Sequence, residues 1–208
     1  MTRATLYYIH DPMCSWCWGF RRGWDALRAA LPASVDVVNV VGGLAPDSDE
    51  PMPAEQREAI AGYWARIADE LGAEFNFEFW QKCEPRRSTY PACRAVIAAA
   101  LQGVEEEMID AIQRAYYLRA MNPSDNSTLI ELAAELGLDL ERFSQDLVSA
   151  RVQGELEHNF ALRRELNVYS FPSLVLKLDN DIFPVPLDYH SIEPALEFVE
   201  GKLTTQSV

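Results

Sequence analysis

The stretch IHDPMCSWCWGF, residues 9–20, constrains this chain more than any other. Cys14 and Cys17 stand two residues apart, between a short β-branched and aromatic run, TLYYI (Thr5 to Ile9), and a segment of helical periodicity. In that segment Phe20, Trp24, Leu27 and Leu31 recur on one face, and Pro32 ends the run. The cysteine pair therefore sits at a strand-to-helix junction, within the first helical turn. Backbone N–H groups there lack intrahelical partners, and the positive end of the helix dipole favours an anion. Only a thiolate attacks a disulfide. Depressing a thiol pKa by two pH units takes about 2.7 kcal/mol of preference for the anion. The dipole supplies about 0.3–1 kcal/mol, so hydrogen bonds to the charged sulfur, at about 1.5–3 kcal/mol, carry much of the rest. The spacing lets Cys17 fold back toward Cys14, donate to its thiolate and later close the ring. Cys14 is expected to be the exposed attacking thiol and Cys17, one turn inward, the resolving one. Ser15 and Trp16 bring no cation between them, so the depression expected at Cys14 is moderate. Met13, Trp16 and Trp18 are expected to form an apolar rim around the sulfur, with the two tryptophans as substrate-binding residues.

The periodicity along the rest of the chain predicts a definite layout. VDVVNVV (Val35 to Val41) reads as a second strand, which Gly42-Gly43 ends. A proline-rich connection follows, with Pro53 placed for a first helical turn. Ile60, Trp64, Ile67 and Leu71 form an apolar stripe that Gly72 stops. EFNFEFW (Glu74 to Trp80) alternates, so a strand or extended segment competes with helix there. Five more helical segments follow, the first beginning at YPACRAV and the last running through GELEHNFALRREL; SDNST opens one of them with capping residues. SLVLKL (Ser173 to Leu178) and IFPVPL (Ile182 to Leu187) are strands joined by the DND turn, and Pro184 and Pro186 confine the second to a sheet edge. HSIEPALEFVEGKL closes as a helix, with the last few residues expected to fray.

The layout is thus strand, helix, strand, a long helical block, then a hairpin and a helix. A β-α-β start and a β-β-α finish are similar to the two halves of a thioredoxin-type sheet. The expected fold class is α/β, a thioredoxin-like fold with a large all-helical insertion. The discontinuous thioredoxin-like domain would comprise residues 1–46 and 166–208, and the helical insertion residues 47–165.

Composition narrows the function classes. Of 208 residues 49% are hydrophobic and 24% charged, enough apolar material for a core without disulfide staples. A formal net charge of −14 repels phosphate backbones and anionic lipid, so neither nucleic acid nor membrane is an expected partner. No apolar stretch approaches the ~20 residues of a membrane helix. MTRATLYYIHDP lacks the features of a signal peptide, and the expected location is cytoplasmic. In a reducing compartment Cys14, Cys17, Cys83 and Cys93 should not form a structural framework. A zinc site would need two ligands beyond the close pair. Cys83 and Cys93 lie in different elements and His10 is a lone candidate, so no metal is expected.

A second segment, NVYSFPSLVLKL, joins CSWCWGF and the helical block in a resemblance. The chain resembles the DsbA family of thiol–disulfide oxidoreductases, in particular the cytoplasmic FrnE-like branch described as predicted protein-disulfide isomerases. The run AAELGLDLERFSQDLVSARVQGELEHNFALRRELNVYSFPSLVL matches that family's helix-helix-proline-strand segment nearly element by element. The resemblance implies that Cys14 and Cys17 are the redox pair and that Pro172 is a cis-proline facing them, with Phe171 before it against the disulfide as a substrate-binding residue. The family usually carries a glycine and a small β-branched residue there. Ser170 and the bulky Phe171 would narrow the groove. No bound cofactor is implied. Partners would be thiol- or disulfide-containing proteins, or glutathione as co-substrate.

Two alternatives remain open from sequence. One is a glutathione-dependent small-molecule isomerase or transferase resembling 2-hydroxychromene-2-carboxylate isomerase and kappa-class glutathione transferase, in which a serine usually stands where Cys14 is. The other is a non-enzymatic interaction protein whose helical block binds a partner. Weaker features point to bland roles. Cys93 reads as a buried inert thiol and Cys83 as a more exposed one. Asp11 reads as a turn former before Pro12 that could also tune Cys14. Arg86 and Arg87 could bind a glutathione carboxylate, although a solvated pair balancing nearby glutamates is the plainer reading.

Overall fold

The computed structural model describes residues 4–205, so the fraying expected of the last residues falls outside the described chain. Strand β1 (Ala4–His10) leads into helix α1 (Ser15–Ala30) and strand β2 (Val35–Val41). Helices α2 (Ala54–Leu71), α3 (Phe79–Lys82), α4 (Tyr90–Ala100), α5 (Glu105–Tyr117), α6 (Asn126–Glu135), α7 (Leu140–Leu147) and α8 (Ala150–Glu165) follow. Strands β3 (Ser173–Leu178) and β4 (Asp181–Val185) and helix α9 (Glu193–Thr205) complete the order. The four strands form one sheet in the order β2-β1-β3-β4. β1 pairs parallel with β2, Leu6 opposite Val37, and antiparallel with β3, Leu6 opposite Leu176. Pro184 lies in β4, which is an edge strand, where a missing N–H is tolerated.

Each face of the sheet is covered. Leu6, Tyr8, Leu174, Leu176 and Leu178 pack with Phe20, Trp24 and Leu27 of α1 and Ala195 and Val199 of α9. Ile9, Val40 and Val175 on the other face meet Leu162 of α8 and Leu166 and Val168 beyond it. A third apolar cluster lies among the helices between β2 and β3, built on Val96, Met108, Ile112, Leu129, Leu132, Phe143 and Leu156. Met13 and Val41 belong to this third cluster, so the helical core reaches the loop that carries the cysteines.

The structure settles three local points. The alternating Glu74 to Trp80 stretch is an extended segment ending in the one-turn helix α3, because Phe75, Phe77 and Phe79 all gather on the buried Trp64, with ring centroids 5.2, 6.0 and 5.7 Å away. Asp125 precedes α6 as its sequence suggests, but its carboxylate makes no cap bond and pairs with Arg86 at 2.6 Å. β4 stops at Val185, short of Pro186 and Leu187.

Candidate active site

Cys14 closes a tight turn that follows β1. Its N–H donates to the Asp11 carbonyl at 3.0 Å, and its own carbonyl accepts the N–H of Trp18 at 3.0 Å as the first bond of α1. All four cysteines are free thiols. Cys17 is fully buried, and Cys14 is only 6% exposed. The expectation of an openly exposed attacker is corrected here. The loop before β3 crosses the mouth of α1, and the Cys14 thiol donates to the Phe171 carbonyl at 3.7 Å. The Phe171–Pro172 peptide is cis.

The two thiols titrate in opposite directions. A hydrogen bond from the Cys17 side chain holds the Cys14 thiol below its ordinary range, helped by the backbone N–H groups of Cys17 and Trp16 and opposed by burial and by the charge on Asp11. Burial, then the Cys14 thiolate itself, pushes Cys17 well above that range. One sulfur is thus disposed to be an anion while its neighbour remains the proton donor.

Asp11 does more than form a turn. It is completely buried, and its carboxylate accepts from the N–H of Met13 at 2.8 Å, the N–H of Leu44 at 2.7 Å, the Thr89 hydroxyl at 2.7 Å and the Cys93 thiol at 3.6 Å. Those bonds tie the cysteine loop to the chain leaving β2 and to the start of α4. Burial raises the Asp11 pKa against these hydrogen bonds. His10 beside it is also fully buried, stacks on Tyr8 at 4.9 Å, and has no hydrogen-bond partner at either ring nitrogen. Burial, with Arg21 nearby, lowers its pKa to about 3.

The aromatic residues around the pair divide by role. Trp16 stays at the rim, edge-on to Tyr189 at 5.4 Å and beneath the Arg66 guanidinium at 5.3 Å. Met13 and Trp18 do not join it. Met13 is buried in the helical core, while Trp18 stacks on Tyr117 at 5.5 Å and donates its indole N–H to the Glu74 carbonyl at 3.0 Å. The Phe171 ring seats on Gly42, where a Cβ would come within 2.1 Å of it, and Arg163 lies 5.4 Å over that ring. Gly43, at φ +66°, leaves similar room for Phe160. Tyr189, Arg66 and Arg163 went unnoticed in the sequence because each reaches the site from a distant element with no motif around it. Cys93 is buried, as its apolar helix predicts, and Cys83 is half-buried with its thiol on the Ala120 carbonyl at 3.1 Å. Arg86 bonds the Ser124 carbonyl and Asp125. Among the described residues no group of His, Cys, Asp and Glu side chains is arranged to hold a metal.

A family model described as thioredoxin matches residues 7–182. This chain belongs to the thioredoxin family. Solved structures agree. A protein of Nitrosomonas europaea, provisionally named a protein disulfide isomerase, superposes with a TM-score of 0.84 at 28% identity, over 98% of each chain. The cytosolic disulfide reductase DsbM of Pseudomonas aeruginosa gives 0.78 at 26% identity, over 97% of this chain and 99% of that one, and has also been solved with GSH. This thioredoxin-family chain therefore has the fold of the DsbA-type thiol–disulfide oxidoreductases. Among curated relatives, the ClpXP adapter protein SpxH of Halalkalibacterium halodurans is 26% identical over 187 residues, and that of Bacillus subtilis 27% identical over 182. The chain spans 59% and 56% of the lengths of those two proteins.

Proposed function

We propose that this chain is a thiol–disulfide oxidoreductase in which Cys14 attacks and Cys17 resolves. The observation that carries the reading is two free thiols one helical turn apart at the start of α1, with the carbonyl that precedes cis-Pro172 accepting from the Cys14 thiol. The Cys14 thiolate attacks one sulfur of a substrate disulfide, forming a mixed disulfide and expelling the first thiolate, which takes up a proton. Cys17 then loses its proton and attacks the Cys14 sulfur. The second substrate thiolate leaves, and the Cys14–Cys17 disulfide remains. The substrate gains two electrons and the protein gives up two; an external dithiol reductant restores the pair. Substrates are glutathione disulfide or protein disulfides, and the working compartment is the cytoplasm, where net reduction or isomerisation suits the redox poise. The likeness to DsbM supports this direction. A cysteine at position 14, where the glutathione-dependent isomerases carry serine, favours redox chemistry over theirs. Trapping tests it: Cys17→Ser should accumulate a mixed disulfide at Cys14, and Cys14→Ser should abolish disulfide reduction. Unchanged reduction by Cys14→Ser would overturn the reading.

The similarity to the SpxH adapters favours a second reading, a chain that binds a partner through its helical block without redox turnover. A partner retained in pull-downs by Cys14→Ser, from a wild-type protein that reduces no disulfide, would select it.

A further inference from the structure

We infer that Arg66 and Arg163 together recognise the carboxylates of a small anionic disulfide presented to Cys14, which makes them specificity-determining residues of the redox site. The inference rests on the redox reading and adds the side chains that select among its substrates. Each guanidinium lies over the ring of a residue that neighbours the attacking thiol in the chain or through its backbone. Arg66, from α2, sits 5.3 Å from the ring of Trp16, the residue just before Cys17. Arg163, from α8, sits 5.4 Å from the ring of Phe171, whose carbonyl accepts from the Cys14 thiol. Stacking on an aromatic face orients a planar guanidinium and leaves its edge N–H donors free for a carboxylate.

The wider charge pattern makes this pair unusual. The chain carries 32 acidic and 18 Lys and Arg residues, so its overall field repels an anionic substrate and local cations are needed to admit one. Arg163 is half-buried, its Nε is buried without a hydrogen-bond partner, and it makes no ion pair among the described residues. Arg66 pairs with Glu70 at 2.7 Å, but both side chains are largely exposed, at 60% and 43%, so that contact is weak and exchangeable. A guanidinium has five N–H donors, more than Glu70 can occupy.

Steric access points the same way. Cys14 is 6% exposed beneath the cis-proline loop, which suits a thin, flexible disulfide better than one held in a folded protein surface. A tripeptide disulfide with carboxylates flanking its sulfurs fits both the narrow approach and the two cations. Oxidised glutathione is the probe for that class, and hydroxyethyl disulfide is its uncharged counterpart. In each case the two Cys thiols become one disulfide, the probe's S–S bond is cleaved, and two probe thiols leave with two electrons and two protons.

The test measures second-order rate constants for oxidation of the reduced full-length protein by each probe and takes the ratio, charged over neutral. Arg66→Gln should lower the ratio about threefold, as an exposed contact would. Arg163→Gln should lower it about tenfold, as loss of a partly desolvated charged hydrogen bond would. The double variant should lose both, and added salt should shrink the wild-type ratio. Arg151→Gln, an exposed arginine at the far end of α8, serves as the net-charge control and should leave the ratio unchanged. Unchanged ratios in both site variants, or an equal fall in Arg151→Gln, would overturn the assignment. So would parallel losses toward both probes with a displaced Cys14 titration, since the arginines would then be acting on the thiol. A wild-type protein that neither probe oxidises would instead remove the redox reading, and this inference with it.

Discussion

Cys17→Ala should raise the pKa of Cys14 by about one to two pH units. The Cys17 side chain is the largest single influence holding that thiol down. A hydrogen bond to a charged group contributes about 1.5–3 kcal/mol, and each pH unit corresponds to about 1.36 kcal/mol. The donor is present throughout the relevant range, because burial keeps Cys17 protonated far above the pH at which Cys14 ionises. Alanine removes the donor without introducing a charge, and the backbone N–H groups of Cys17 and Trp16 still face the sulfur, so the depression should shrink. Cys17→Ser keeps a hydroxyl donor and should shift less than alanine. Thiolate absorbance and the pH dependence of iodoacetamide labelling at Cys14 measure both variants. The sign also predicts stability. A thiol whose pKa is depressed by folding stabilises the reduced protein above the unfolded thiol pKa, and that contribution is lost as pH falls through the folded value. Cys17→Ala should narrow the window. Identical titrations of Cys14 in wild type and Cys17→Ala would refute the reasoning, since the shift would then come from the helix terminus alone.

Three further perturbations probe the surroundings. Asp11→Asn removes the charge that opposes the Cys14 thiolate, so labelling of Cys14 should move to still lower pH. Denaturation of wild type should show stability falling by about 1.4 kcal/mol per pH unit below the ordinary histidine range, as the unfolded chain protonates and native His10, at about 3, does not; His10→Phe should flatten that part of the profile. Gly42→Ala drives a Cβ to within 2.1 Å of the Phe171 ring and should cost about 1–3 kcal/mol in urea unfolding, with Phe171→Leu recovering part of it in a double-mutant cycle.

Local chemistry wrote much of the architecture into the chain. The β-branched run Val35–Val41 is a strand to the residue, Gly72 ends α2 in the left-handed conformation at φ 65°, and Pro184 sits on a sheet edge. The cysteine pair was legible for the same reason, because a helix start acts on whatever stands in its first turn. Alternation left Glu74 to Trp80 open between extended chain and helix, and the contacts of its phenylalanines with Trp64 decided where each runs.

What the sequence alone determined is therefore what neighbours along the chain impose on one another: the order of strands and helices, the placement of Cys14 and Cys17, and the buried character of Cys93. The tertiary structure decided what depends on approach from afar. It covered Cys14 with a loop 157 residues away, turned Trp18 into the helical core, made Asp11 a buried junction of three segments, and set Arg66 over Trp16 and Arg163 over Phe171. Helix and strand propensity act within a few residues, whereas desolvation, ring stacking and charge pairing act through space, and only a folded chain fixes those distances.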